Sequence, residues 1–525
     1  MAGDAATPAT ARTTATAPSP GQPLLYTSHR GLLTVGVMGA MVMQILDTTI
    51  ANVALPHMQT SLGATIDTVT WVLTSYIVAT AIALPATGWL SARLGSRNLF
   101  LIAVGGFVVA SMLCGIATSL PEMVLFRVFQ GIFAAFINPL SQTAMLDINP
   151  PERAAKAMSV WGMGVMVGPI MGPVIGGFLT ENYNWRWVFY VNVPVGALTF
   201  AILWFLLPSR PRAERSFDLP GFVYVGLAVA AFQLMLDRGQ TEDWFSSWEI
   251  VVEALVAAAA TWMAAIHLAT ARKPLFDRVL FTNRNLVMGM FFMVVIGIST
   301  MAPMALLPPM LQQLFGYPVI DTGLMMAPRG VGVLFTMFLG GQIMGRIDAR
   351  ILIIGGLLLF AWSLRMMAGY SLQMDFWPVV TSGFVQGLGM GFVFMPLNAL
   401  AFATLDGQYR TEGAALLNLM RSVGQSAGIS MVTVMVARNI QTSHADLAAH
   451  VTRGTLPGVD LSWLGVAGTL SDTAFAYADA MVNQQAAMIA YLDDFYLMAW
   501  ISVAVIPLVL LLSRPKGKVA VVHSE

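Results

Sequence analysis

Fourteen stretches of about 20 apolar residues, each long enough to cross a bilayer as a helix, dominate this chain. They fall at 31–56, 69–91, 98–118, 121–146, 155–179, 186–207, 217–236, 248–269, 285–309, 321–345, 351–371, 376–404, 412–437 and 493–513. Composition agrees, with 57% of the 525 residues hydrophobic and 10% charged. The pattern predicts an all-α polytopic membrane protein with fourteen transmembrane helices.

The placement of Lys and Arg sets the topology. With the N-terminus inside and the sides alternating, the inner segments hold Arg12, Arg30, Arg93, Arg97, Arg153, Lys156, Arg210, Arg212, Arg215, Arg272, Lys273, Arg278, Arg284, Arg346, Arg350, Arg410, Arg514, Lys516 and Lys518. These are 19 of the 27 cationic residues, so the positive-inside rule puts both termini in the cytoplasm. The expected location is the cytoplasmic (inner) membrane. Outer acidic residues (Asp67, Glu122, Glu181, Asp237, Glu242, Asp243) balance the inner cations to a net charge of zero. No basic domain supports nucleic-acid binding. The one cysteine, Cys114, excludes a disulfide framework or a thiolate metal cluster. Residues 1–30 read as a disordered cytoplasmic tail, its first 23 residues rich in Ala, Thr and Pro; residues 514–525 form a second tail.

Two internal echoes suggest a repeat. Gly88–Arg97 (GWLSARLGSR) between spans 2 and 3 matches Gly341–Arg350 (GQIMGRIDAR) between spans 10 and 11 at an offset of 253 residues. Gln130, Gly131 and Pro139 likewise match Gln386, Gly387 and Pro396. The expectation is two six-helix bundles, 31–207 and 285–513, with two helices inserted at 217–269. Paired repeats of this kind build secondary transporters, which bind their cargo near mid-membrane between the halves. One outer loop, 438–492, is large; Thr473–Leu492 within it reads as an amphipathic interfacial helix.

Six segments, in order and on the matching spans, resemble the fourteen-spanner drug:proton antiporters of the major facilitator superfamily, the EmrB/QacA type. They are Leu46–Pro56 (LDTTIANVALP), Trp71–Tyr76 (WVLTSY), Arg127–Gly131 (RVFQG), Gly164–Gly177 (GVMVGPIMGPVIGG), Asn184–Gly196 (NWRWVFYVNVPVG) and Asn418–Gly424 (NLMRSVG). The resemblance implies a major facilitator fold and export of small hydrophobic toxic compounds in exchange for protons. It assigns proton coupling to the Arg127 motif and antiport to the motif around Gly168 and Pro169. A narrower exporter of a siderophore or metabolite, or an uptake symporter, remains the alternative. EmrB-like members work with a periplasmic adaptor and an outer-membrane channel, for which loop 438–492 is the candidate dock; QacA-like members act alone. The inner-loop motif Gly88, Arg93, Gly95 and Arg97 departs from the family at Ala92, where an acidic residue is usual, so an Asp-based latch there is in doubt.

The residues themselves point to chemistry. Asp47 lies nine residues before Pro56, about 13 Å below the outer end of span 1, and Arg127 about 9 Å deep in span 4. The two can share a level, and ionisable groups at such depth mark pathways or relays. Their bland reading is a static ion pair between helices. Arg421 is a candidate cavity cation, with Arg329 and Arg365 nearer the outer ends. Gln44, Asn52, Gln130, Asn138, Gln142, Asn398, Asn418 and Gln425 are candidate cavity or helix-bridging residues. Gly164, Gly168, Gly172 and Gly176 with Pro169 and Pro173 read as a pliable seam, or as tight packing. None of the four lysines completes a P-loop, and the six histidines lack metal-ligand spacing. The residues therefore point to a carrier with no cofactor, no metal and no catalytic residues, and the resemblance implies that the proton gradient drives it.

Overall fold

In the computed structural model, which describes residues 24–27, 29–208, 216–344, 346–449 and 472–513, helix dominates and no strand occurs among the described residues. Fourteen long helices stand at the fourteen predicted places. They are α1 (Arg30–Ser61), α2 (Trp71–Leu94), α3 (Ser96–Ile116), α4 (Leu120–Asp147), α5 (Ala154–Asn182), α6 (Trp187–Leu206) and α7 (Leu219–Arg238). The chain continues with α8 (Trp248–Thr270), α9 (Arg284–Gln313), α10 (Val319–Ile343), α11 (Ala349–Met367), α12 (Trp377–Ala403), α13 (Arg410–Ala449) and α14 (Asp472–Ala504). Twelve are long and apolar enough to cross a membrane by length and composition. The other two, α5 and α13, pack against neighbours on several sides: α5 on α1 and α10, α13 on α9 and α14. Protein rather than lipid covers much of their surface, which tolerates their glycine and polar content.

Local signals fix the helix ends. Ser119 caps α4 by accepting from the Glu122 amide, while the Glu122 carboxylate accepts from the Thr118 amide at 3.0 Å. Between α2 and α3 the chain turns at Gly95, whose φ of 87° suits a residue without a Cβ. Asp218 caps α7 and also accepts from the Leu275 amide and pairs with His267, both at 2.8 Å. One side chain thus ties the start of α7 to the end of α8.

Two boundaries differ from the hydropathy reading. That reading ends span 13 at 437, begins span 14 at 493 and sets a separate amphipathic helix over Thr473–Leu492. In the structure α13 runs on to Ala449, and α14 starts at Asp472 and absorbs the amphipathic segment whole. Neither 438–449 nor 472–492 contains Gly or Pro, so nothing stops the helix when the apolar pattern does. At 40 and 33 residues, α13 and α14 span about 60 and 50 Å. Both exceed an apolar core of about 30 Å, so they project as a hairpin beyond it. The middle of the large loop, 450–471, and the tails 1–23 and 514–525 lie outside the described residues.

Packing repeats with a step of eight helices. α1 packs on α5 and α6, α2 on α4, α3 on α4 and α6; likewise α9 packs on α13 and α14, α10 on α12, α11 on α12 and α14. Two echoed arginines make similar bonds: Arg97 at the start of α3 donates to the Trp204 carbonyl near the end of α6, and Arg350 at the start of α11 donates to the Leu512 carbonyl at the end of the 3-10 helix Ile506–Leu511 that follows α14. The contacts between the two sets are reciprocal too. α5 meets α10, and α13 meets the end of α2. Arg93, Arg97, Arg153, Lys156, Arg272, Lys273, Arg278, Arg284, Arg346, Arg350 and Arg410 all lie in the connections or helix ends at one end of the bundle.

Candidate functional site

Five helices of the first set converge on one buried carboxylate. Arg127 of α4 donates through Nη1 to Asp47 Oδ2 of α1 at 2.6 Å, and both side chains are 0% exposed. Gln130, one turn on, donates from Nε2 to Asp47 Oδ1 at 2.8 Å and accepts from Arg127 at 2.8 Å. Asn192 of α6 donates to the same Asp47 oxygen at 2.8 Å and to Ser111 of α3 at 2.9 Å. The Arg127 Nε donates to the Val72 carbonyl of α2 at 2.9 Å, and its guanidinium lies 4.3 Å from the Tyr76 ring centroid. Cys114 donates to Gln130 Oε1 at 3.6 Å.

Removing an ion pair from water costs several kcal/mol, so its retention demands good geometry and satisfied partners. Asp47 has both, with three donors on its two oxygens. Pulling α1 away from α4 would leave both charges buried without their partner. The arrangement ties the position of α1 to those of α4 and α6 through one carboxylate.

A second polar chain crosses between the two sets. Gln142 of α4 donates to Asn398 of α12 at 2.7 Å and accepts from Asn418 of α13 at 3.3 Å. Arg421 donates to Asn418 Oδ1 at 2.9 Å and lies 5.9 Å from the Phe394 ring centroid. Trp161 of α5 donates to Ser141 at 2.9 Å and stacks on Phe394 of α12. Nearer the cationic end, Arg410 donates to Asp147 at 3.2 Å and Ser159 donates to the Met337 carbonyl. A Cβ on Gly88 would meet the Glu412 side chain at 2.2 Å, so the inner-loop glycine lets α2 close on α13. Arg93 in that motif lies 5.5 Å from the Trp89 ring and is exposed.

The remaining sequence candidates scatter. Asn52 is exposed, while Asn138 and Gln425 are half-buried. Gln44 is buried. Arg329 is buried and donates to the Thr300 carbonyl at 3.0 Å; Arg365 is exposed and lies 5.8 Å from the Tyr496 ring. The glycine run of α5 faces α1, where a Cβ on Gly164, Gly168, Gly172 or Gly176 would meet Met38, Ile45, Thr49 and Ile50 at 2.0, 2.3, 2.1 and 3.2 Å. The side chains of Pro169 and Pro173 lie outside the described residues. Asn192 and Ser111 are partners that sequence reasoning missed. Their signal was a polar residue isolated in an apolar span.

A bundle of apolar helices around a buried ion pair defines a multi-pass membrane protein of the carrier type, and residues 37–429 match the Major Facilitator Superfamily, so the chain belongs to that superfamily. Its relatives narrow the group. The chain is 37% identical over 423 residues to the multidrug export protein EmrB of Haemophilus influenzae, covering 80% of this chain and 83% of that one. It is 33% identical over 491 residues to EmrB of Escherichia coli, covering 93% and 96%. Over 420 residues it is 36% identical to the fatty acid resistance protein FarB of Neisseria gonorrhoeae, covering 79% and 82%. Among solved structures, a double tryptophan mutant of XylE superposes with a TM-score of 0.62 at 15% identity, covering 94% and 98%. The human organic anion transporter MFSD10 superposes with a TM-score of 0.58 at 14% identity, covering 90% and 99%. Both show the same fold.

Proposed function

We propose that this EmrB-like chain is a proton-coupled antiporter that exports hydrophobic, structurally varied compounds across the cytoplasmic membrane. The observation that carries the reading is the Asp47–Arg127 pair, 0% exposed, with Gln130 and Asn192 donating to Asp47 and the Val72 carbonyl accepting from Arg127. Such a pair gives the carrier a titratable centre that answers to helix movement. The names of the EmrB relatives support drug export, and the absence of a P-loop in the sequence supports a proton-driven cycle without a cofactor. In this reading the chain is a carrier and not an enzyme. All fourteen helices cross the membrane, both termini are cytoplasmic, 31–207 and 285–513 work as two halves, and 217–269 is the insert. The cationic end is then cytoplasmic, and the Arg410–Asp147, Ser159–Met337 and Gln142–Asn398 bonds bolt the halves on that side. Coupling falls to Asp47 and Arg127, and cargo meets Gln142, Asn398, Asn418 and Arg421 where the halves part. The projecting α13–α14 hairpin is the surface on which a periplasmic adaptor leading to an outer-membrane channel would dock.

The test is direct. Purified protein in weakly buffered detergent solution should release protons when a hydrophobic cationic dye or an uncharged drug is added. Drug uptake into vesicles with protons entering alongside it would overturn the exchange.

A narrower cargo is favoured by one observation. Arg421 has a neutral hydrogen-bond partner, Asn418, and an aromatic neighbour, with no acidic partner among the described residues. A cation so placed suits an acidic amphiphile, and a panel of matched acids and esters would separate the two readings.

A further inference from the structure

Asp494 stands apart from the other acids among the described residues. It is 0% exposed, and neither carboxyl oxygen has a hydrogen-bond partner. It lies on the inward face of α14 with Tyr491, Phe495 and Met498, all buried, and this helix packs on α9, α11 and α13. Phe495 touches the Tyr370 ring beyond the end of α11. Eighteen residues separate Asp494 from Leu512, whose carbonyl accepts from Arg350 at the cationic end. Ten of these steps are α-helix at 1.5 Å each and most of the rest follow the 3-10 helix Ile506–Leu511 at about 2 Å, about 30 Å in all, close to the full depth of the apolar core. Asp494 therefore sits near the opposite face, sealed from both.

The charges around it are few. Asp493 precedes it and is exposed. Between 285 and 313, α9 carries no titratable side chain, and α13 carries none between 422 and 437. On α11 the cations are Arg350 at the start and Arg365, which lies against Tyr496 two residues along α14. An ionised carboxylate left unpaired in apolar surroundings costs several kcal/mol, and the group takes a proton instead. The same structure thus holds two buried carboxyls in opposite conditions. Asp47 has three donors, one of them a cation, whereas Asp494 has neither donor nor cation bonded to it.

We propose that Asp494 is a second proton-carrying group of the transport cycle, loaded from the outer side and unloaded when α14 shifts against α11 and brings Arg365 within reach. Loading joins one proton to the carboxylate, and unloading returns that proton to water; no other bond changes. This inference rests on the proton-exchange reading and deepens it, giving each half one proton site.

The experiment compares wild type, Asp494→Asn and Asp494→Glu in vesicles, with the membrane potential clamped at zero and a fixed pH gradient of about one unit. The steady substrate gradient is read. One coupled proton fewer should lower that gradient about tenfold in the Asn variant, with substrate binding unchanged and the Glu variant holding the wild-type gradient. An Asn variant that holds the wild-type gradient overturns the proposal. A wild type that builds no gradient against protons defeats the exchange reading and this inference with it.

If the Asn variant does not fold, native protein still decides. Dicyclohexylcarbodiimide adds a protonated carboxyl across its C=N bond, the acid proton passing to nitrogen and the carboxyl oxygen bonding to carbon, before rearrangement to a stable acylurea. Peptide mapping should find the adduct on Asp494 at acid pH and less of it as pH rises. No adduct there at any pH refutes a proton-bearing Asp494.

Discussion

Arg410 at the first position of α13 donates to Asp147 at the last position of α4, 3.2 Å away, across the junction between the two sets of helices. The Asp147 side chain is 2% exposed and that of Arg410 18%, so solvent screens the pair only in part. Two residues on from Arg410, Glu412 fills the space beside Gly88 of α2, so the start of α13 meets both α4 and α2 at this junction. A double-mutant cycle with Asp147→Asn and Arg410→Gln should return a coupling of about 0.5–3 kcal/mol in thermal unfolding of the purified protein. Additive effects would show that the pair contributes nothing at this junction.

Asp47 and Arg127 should fail differently from a simple structural pair. Asp47→Asn keeps the shape of the group but cannot titrate. Substrate-induced proton release should fall clearly below that of wild type while substrate binding persists. Arg127→Ala leaves a buried carboxylate uncompensated and should cost about 3–5 kcal/mol in stability as well as transport. Proton release by Asp47→Asn equal to wild type would remove the residue from coupling.

The glycines of α5 are not interchangeable. A Cβ at Gly168 would meet Ile45 Cγ2 at 2.3 Å, whereas one at Gly177 would meet nothing within 4 Å. Gly168→Ala should destabilise by about 1–3 kcal/mol through overpacking against α1. Gly177→Ala should be neutral or stabilise by about 0.5–1 kcal/mol, because alanine restricts the unfolded chain and suits a helix. Melting curves of the two variants side by side decide it; equal losses would mean that α1 does not press on this face.

Arg97 and Arg350 occupy matching places and donate to helix-end carbonyls. Alanine at either should therefore lower stability by similar amounts, about 1.5–3 kcal/mol for a lost bond from a charged donor. A large effect at one and none at the other would show that the likeness is geometric without being energetic.

The sequence exposed charges more readily than it exposed their company. Asp47 and Arg127 stand out because an apolar span makes any ionisable residue conspicuous, and helix rise alone brings them to one level. Asn192 is neutral, and its reach to Asp47 depends on the packing of α6 against α1. Asp494 was hidden for another reason. It follows Asp493 at the edge of an apolar stretch, where two acids read as a solvated boundary, and only the continuous helix shows that one faces out and the other in. Glycine spacing announced a close contact around Gly168 but carried no information on which helix supplies it. Likewise, Gln142, Asn398 and Asn418 are legible one at a time as polar residues, while their mutual bonds depend on packing between α4, α12 and α13.

The pair α7–α8 makes the two flanks of the molecule unequal toward lipid. α7 bonds to α2 through Asp237 and Thr74 and to α13 through Gln233 and Ser422, so it lies across the groove where those helices meet. Lipid acyl chains, and any apolar solute dissolved among them, meet a wall on that flank. The opposite groove, where α5 runs along α10, carries no such added helix among the described residues. One lateral face of the bundle is thereby covered by α7, and the other is left to α5 and α10 alone.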